Sequence, residues 1–275
     1  MIRVILNGVN GKMGQVLANT ISVNENIAVI AGIDRFTSAH KNPFPVYENI
    51  NECDLPADVL IDFSRPEALP NNIEYCKRKN MSIVIATTGF NADELAIIEE
   101  ASNIIPIFMA SNMSLGVNLQ MELCKKAASF LGYSYDVEII ETHHNQKVDS
   151  PSGTALSIAN SINEAYLNTM DYTYGRHSRN DKRTNHEIGI HSVRGGTVPG
   201  EHQVKFFGND EILEINHFAI SKQIFAVGAI RAAKFISEKA PGLYGMKDIL
   251  AEQSELTNVF CDVDQAIVFY NRYAI

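Results

Sequence analysis

The densest concentration of reactive side chains in the 275-residue chain is Glu141-Thr142-His143-His144-Asn145-Gln146-Lys147-Val148-Asp149-Ser150-Pro151-Ser152-Gly153-Thr154-Ala155. Two histidines and a lysine follow the end of a predicted strand. Ser152, Gly153 and Thr154 then open a predicted helix after Pro151. Hydroxyls and backbone N–H groups at such a helix start bind carboxylates. His144 and Lys147 add positive charge to the same loop, and a histidine near neutrality can carry a proton. In a chain of net charge −9, this gathering of cations and N–H donors predicts an anionic small-molecule substrate. Paired histidines also serve as metal ligands, but no third ligand stands at zinc-motif spacing, so no metal is expected. The plainer alternatives are a helix cap for Ser152 and a solvated charge for Lys147.

A second constellation lies at the N-terminus. Gly8-Val9-Asn10-Gly11-Lys12-Met13-Gly14 sits between a β-branched run, Ile2–Leu6, and residues at helical spacing, Met13, Val16, Leu17 and Ile21. Its G-x-x-G-x-x-G spacing is a relative of the dinucleotide fingerprint. Small residues let the backbone approach a pyrophosphate, and the helix start supplies N–H donors. Asn10 occupies the missing glycine position as one of the few residues that tolerate positive φ. Asp34 ends the next apolar run, where a carboxylate binds ribose hydroxyls. Arg35 and Lys12 are cations able to accept the extra phosphate of NADP, so both NADH and NADPH are candidate cofactors.

The elements that must position these groups follow from patterning. Ile2–Leu6, Ile27–Ile33, Val59–Phe63, Ser82–Ala86 and Ile104–Met109 are short apolar runs separated by helical segments. One helix is announced by Asn91 with Glu94 three residues on. Such runs predict a parallel sheet covered on both faces. Gly116–Leu131 reads as a long helix stopped at Gly132. Tyr135–His143, Ile188–Val193, Gln203–Phe207 and Ile212–His217 read as strands, the last two joined by a hairpin at Gly208-Asn209-Asp210-Glu211. Asn168–Glu187 is polar and reads as a loop, and helical period returns over Ser221–Lys239. The expected organisation is α/β: a Rossmann-type parallel-sheet nucleotide domain over 1–112, completed by 221–275, and an α+β substrate domain with a mixed sheet over 113–220.

Composition narrows the function classes. The chain has 23 Lys+Arg against 32 Asp+Glu and a pI near 5.4. An acidic surface disfavours nucleic acid and anionic lipid as general partners. No apolar run approaches the roughly 18 residues of a membrane span, and the N-terminal run is too short for a signal peptide. Cys53, Cys76, Cys124 and Cys261 are scattered without a C-x-x-C pair, which fits neither a disulfide framework nor a zinc site. A reduced, cytoplasmic location is expected.

The pattern E-x-H-H-x-x-K-x-D-x-P-S-G-T-A at Glu141–Ala155 resembles that of the dihydrodipicolinate (4-hydroxy-tetrahydrodipicolinate) reductase family. Gly8–Gly14, Asp62–Pro66, Thr87–Phe90, Arg194–Gly196, Gly200–His202 and Gly242–Tyr244 resemble it too, so the likeness covers residues 1–250. It implies hydride transfer from NADH or NADPH to a cyclic unsaturated dicarboxylate, in the diaminopimelate route to lysine, by a homotetramer. Carried over, His143 is the general acid/base and Lys147 its partner in proton donation. His144, Gly153 and Thr154 contact substrate carboxylates, with Ser152 beside them. Gly8, Val9, Asn10, Gly11, Lys12, Met13, Asp34 and Arg35 hold the dinucleotide. Ala86, Thr87 and Thr88, with Ala110, Ser111, Asn112 and Met113, line the nicotinamide.

The chain departs from the family pattern at Ala86, where glycine is usual, at Ser150, where alanine is usual, and at Asp34, where glutamate is frequent. Beyond Leu250 the likeness ends, and the remaining tail carries an apolar run, Ala266–Tyr270. Two rival readings are another two-domain NAD(P)-dependent dehydrogenase and a non-catalytic NAD(P)-binding redox sensor. Neither uses the His-His-x-x-Lys and Ser-Gly-Thr segments.

Overall fold

The computed structural model describes residues 1–252; Cys261 and the apolar run at 266–270 lie outside the described residues. Two compact units are present: Met1–Met113 with the described residues from Phe225 on, and Ser114–Ile224.

The first unit alternates strand and helix. In chain order it holds β1 (Ile2–Asn7), α1 (Lys12–Ser22), β2 (Ile27–Ile33), β3 (Val46–Tyr47), β4 (Val59–Asp62), α2 (Leu69–Lys79), β5 (Ser82–Ile85), α3 (Ala92–Ser102) and β6 (Pro106–Met109). Most of α6 (Gln223–Ile236) and all of β12 (Gly242–Tyr244) complete it. The sheet is seven-stranded, in the order β12-β6-β5-β4-β1-β2-β3, and every pairing is parallel. Val4, Ile5, Leu6, Val59, Leu60 and Ile61 are fully buried. Continuous apolar strands of this kind are what a sheet covered on both faces requires. Asn91 caps α3 in a full capping box with Glu94, satisfying two N–H groups that the helix leaves unpaired. Phe235 of α6 meets Phe108 and Tyr244 edge-on.

The second unit holds α4 (Leu115–Leu131), β7 (Asp136–His143), α5 (Gly153–Ala165), β8 (Asp171–Tyr174), β9 (Glu187–Arg194), β10 (Gly200–Phe207) and β11 (Ile212–Ala219). Its sheet, ordered β11-β10-β7-β9-β8, is mixed. The pairs β7–β9 and β8–β9 are parallel, while β10 is antiparallel to both β7 and β11. The inward face of β7 begins with Val137 and Ile139, which pack into one core with Ile158 and Ile162 of α5. The same face continues through Glu141 to His143, because strand side chains alternate with period two. Cross-strand register extends this row: Glu141 pairs with Ser192 of β9 and His202 of β10, and His202 pairs with His217 of β11. A strand that is apolar at one end therefore delivers polar chemistry at the other. Buried Gln120 of α4 locks the row by donating to the carbonyls of His202 and Ile215.

The polar segment 168–187, expected as loop, contains β8. Tyr172 and Tyr174 alternate there with Asp171 and Thr173, so the apolar signal is too short to read. The sequence pattern does not announce β12 either; its three residues pair with β6.

Candidate active site

The candidate dinucleotide residues follow the C-terminal ends of four parallel strands. Gly8–Met13 follow β1, Asp34 and Arg35 follow β2, Ala86–Thr88 follow β5, and Ala110–Met113 follow β6. This is the edge at which open parallel sheets bind ligands, and β1 and β4 flank the point where strand order reverses. A cavity of about 540 Å³ opens there, lined among others by Gly8, Asn10, Gly11, Asp34, Arg35 and Ser64. Val9, Lys12, Met13, Ala86–Thr88 and Ala110–Met113 are not in its lining. Val9 is fully buried, and Lys12 and Met13 open α1. Thr87 is buried with its hydroxyl directed to the Asp62 carbonyl, 3.4 Å away, whereas Thr88 and Ser111 are exposed.

The glycines of the turn allow close backbone packing. Gly8 has φ +77°, and a Cβ there would stand 2.7 Å from the Phe63 carbonyl oxygen. A Cβ on Gly14 would stand 2.1 Å from the Gly8 carbonyl oxygen, so only glycine lets α1 pack this close to the turn. Gly11 caps α1 without a side-chain hydrogen bond. Asn10 is not in the left-handed region; Gly8 supplies the positive φ, contrary to the expectation for Asn10. Asn10 braces the turn instead. Its N–H donates to Asp34 Oδ2 at 2.9 Å and its amide donates to the Phe36 carbonyl at 2.7 Å. The other carboxylate oxygen of Asp34 accepts the Phe36 N–H.

In the second unit, His143 ends β7 and is only 8% exposed. Its Nδ1 lies 2.6 Å from Glu141 Oε2. Its ring meets that of His202 edge-on, 5.2 Å between centroids. Glu141 is fully buried and receives both Arg194 Nη atoms at 2.8 Å and the Ser152 N–H at 3.1 Å. Burial pushes the Glu141 carboxyl up, but hydrogen bonds from Arg194, Ser192, His143 and Ser152 outweigh it and bring the pKa to about 2. Burial lowers the pKa of His143. Glu141 opposes that shift, and Lys147 and Arg194 reinforce it.

The loop after β7 carries the remaining candidates. Lys147 Nζ pairs with Asp149 Oδ1 at 2.8 Å. His144 N–H donates to the Val198 carbonyl. Ser152 is the N-cap of α5, its Oγ accepting the Ala155 N–H, and it also lies 3.1 Å from His202 Nε2. Gly153 and Thr154 form the first turn of α5, as expected. His143, Lys147, Ser152, Gly153 and Thr154 thus belong to one strand-loop-helix passage. The sequence motifs contain Glu141, Arg194 and His202 but do not give them roles. Their signal is register: Ser192–Glu141–His202–His217 form one cross-strand row, and Arg194 pairs with His143.

Together these features fit a dinucleotide-dependent oxidoreductase plan: a glycine turn at the switch point of a parallel sheet, and a separate unit presenting a buried histidine and a capped helix start. Comparison with known proteins specifies it. Residues 2–113 match the family described as dihydrodipicolinate reductase, N-terminus, and residues 116–250 match its C-terminus. The chain is 48% identical over 250 residues to the 4-hydroxy-tetrahydrodipicolinate reductase of Caldanaerobacter subterraneus subsp. tengcongensis, covering 91% of this chain and 98% of that protein. It is 43% identical to the enzyme of that name from Clostridium novyi, covering 92% and 100%. The solved structure of dipicolinate-bound dihydrodipicolinate reductase from Paenisporosarcina sp. TG-14 is 29% identical with TM-score 0.77, covering 90% of this chain and 99% of that one. The chain belongs to the dihydrodipicolinate reductase family.

Proposed function

We propose that the chain reduces 4-hydroxy-tetrahydrodipicolinate, by way of the dihydrodipicolinate left when water departs, to tetrahydrodipicolinate, in lysine biosynthesis. The observation that carries this reading is the convergence of His143, Lys147, Gly153 and Thr154 in one strand-loop-helix passage, in a chain 48% identical to an enzyme named for this reaction. The turn Gly8–Met13, with Asp34 and Arg35, would hold the dinucleotide. Ala86–Thr88 and Ala110–Met113 would line its nicotinamide end. The bound dihydronicotinamide supplies a hydride.

The chain's own residues supply binding and a proton. Hydride addition to the conjugated imine breaks a carbon–carbon π bond and moves its electron pair to the adjacent carbon. His143 carries the proton that quenches that carbon, with Lys147 as its partner in donation. The N–H groups of Gly153 and Thr154, with His144 and the Ser152 side, receive the substrate carboxylates. Having Asp34 beside Arg35 supports use of both NADH and NADPH.

The reading carries two further expectations, a cytoplasmic location and a homotetramer. Exposed Phe218 on edge strand β11, with Ile220 just beyond it, supports self-association, which sedimentation would measure. No described helix is long and apolar enough to cross a membrane.

The experiment is substrate-dependent oxidation. Pyruvate and aspartate semialdehyde are condensed by a dihydrodipicolinate synthase, and NADH or NADPH absorbance is followed. Oxidation that needs the complete mixture is expected; none with either dinucleotide overturns the proposal.

A further inference from the structure

We propose that Glu141 is a positioning residue for His143: locked by the Arg194 fork, its carboxylate accepts a hydrogen bond from Nδ1–H of His143 and leaves Nε2 as the atom that exchanges a proton with substrate. The inference rests on reading His143 as the proton carrier.

An ionised carboxylate only accepts hydrogen bonds, so a nitrogen 2.6 Å from Glu141 Oε2 must be a donor. Neutral His143 is then protonated on Nδ1 with its lone pair on Nε2. In the imidazolium, Nε2–H is the proton available for transfer. The same division of labour recurs wherever a carboxylate orients a catalytic imidazole.

Three further contacts show why Glu141 can do this while fully buried. Arg194 approaches with both Nη atoms, one on each carboxylate oxygen at 2.8 Å. The Ser152 N–H adds a bond to Oε1. A buried carboxylate is tolerated when paired and hydrogen-bonded in this way. Arg194 Nη2 also donates to the Asp149 carbonyl at 2.6 Å. One guanidinium therefore ties the loop bearing Lys147 to the carboxylate that holds His143.

The charges facing His143 come from several elements. Arg194 stands on β9, His202 on β10, and Lys147, paired with Asp149, in the loop after β7. Burial, Lys147 and Arg194 all disfavour its protonated form, and Glu141 favours it. Removing the negative charge from Glu141 should therefore make His143 lose its proton at lower pH. A proton donor fails once deprotonated, so the alkaline fall in kcat/KM should begin at lower pH.

Two measurements test this in the full-length protein. In wild type labelled with ¹⁵N-histidine, long-range proton–nitrogen NMR should show neutral His143 as the Nδ1–H tautomer. In Glu141→Gln, Arg194 claims the remaining carbonyl oxygen, so the amide presents N–H to Nδ1 and reverses the tautomer. Its kcat should fall about a hundredfold or more, with KM within about twofold, and its alkaline limb should move down. Glu141→Asp should recover part of the rate and part of the limb. A wild-type Nε2–H tautomer overturns the proposal, as does a Glu141→Gln limb unchanged from wild type. Should Glu141→Gln fail to fold, the wild-type tautomer and the Glu141→Asp profile decide. His143→Gln separates the two ideas: full activity in that variant removes the proton-carrier reading itself. An inactive His143→Gln with an Nε2–H wild type removes only the role of Glu141.

Discussion

Ser152 Oγ lies 3.1 Å from His202 Nε2, and the same oxygen accepts the Ala155 N–H that starts α5. The helix that presents Gly153 and Thr154 is thereby tied to β10. His202 is 4% exposed, and burial, then the neighbouring His143, pushes its pKa from 6.5 down to about 3. The unfolded chain thus takes up a proton that the folded chain refuses. The resulting stability is complete above pH 6.5 and is lost as pH falls from 6.5 toward 3. We expect His202→Gln to be less stable near neutrality by about 1–3 kcal/mol, with a shallower loss between pH 7 and pH 5 than wild type. Urea denaturation across that range checks it; equal slopes for the two proteins would contradict it.

Lys147 is held by Asp149 in the loop that follows His143. Lys147→Ala should lower kcat by about a hundredfold or more. Dinucleotide affinity should stay within about twofold, because the proposed function places Lys147 on the substrate side. Steady-state rates and a fluorescence titration with NADH measure the two quantities. A pure loss of NADH affinity would contradict the placement.

Arg35 is exposed at the cavity rim beside Asp34, whose two oxygens accept the N–H groups of Asn10 and Phe36. In the proposed reading a guanidinium there would meet a 2′-phosphate and would have no partner on a 2′-hydroxyl. Arg35→Ala should weaken NADPH about tenfold and NADH less than about twofold, as expected for one lost charge-assisted contact. Calorimetric titration with each dinucleotide gives the ratio, and equal losses would contradict a phosphate contact.

Gly14 allows α1 to pack on the turn that precedes it. In Gly14→Ala the new Cβ would stand 2.1 Å from one backbone oxygen and 2.6 Å from another, so the helix must shift. We expect a loss of about 1–3 kcal/mol together with weaker dinucleotide binding. In Gly11→Ala the Cβ meets a single oxygen at 3.2 Å, and the loss should be smaller. Thermal unfolding of both variants tests the order; the reverse order would contradict the packing role of Gly14.

Local features were legible in the sequence because local residues cause them. The runs at β1 and β2, the Asn91–Glu94 capping box and the start of α5 after Pro151 are written in consecutive residues. The hairpin at 208–211 is equally local, with Asp210 at φ +63°. What stayed hidden depends on register. Arg194 and His202 reach Glu141 and Ser152 from strands about fifty positions away along the chain, and no spacing within one segment announces that meeting. The strands β8 and β12 are too short to show a period, and tertiary pairing creates them. At Asn10 the glycine pattern misled. Its φ is not left-handed, because the turn reverses at Gly8, and the Asn10 amide serves as a brace to Phe36 and Asn42.

The most direct measurement of the central claim follows the hydride itself. NADH deuterated at both C4 positions is supplied to the protein with pyruvate, aspartate semialdehyde and a dihydrodipicolinate synthase, and the tetrahydrodipicolinate formed is examined by mass spectrometry. We predict one deuterium per product molecule in ordinary water, carried from NADH on a carbon that does not exchange with solvent. NADH oxidation that leaves the product unlabelled would contradict hydride transfer to this substrate.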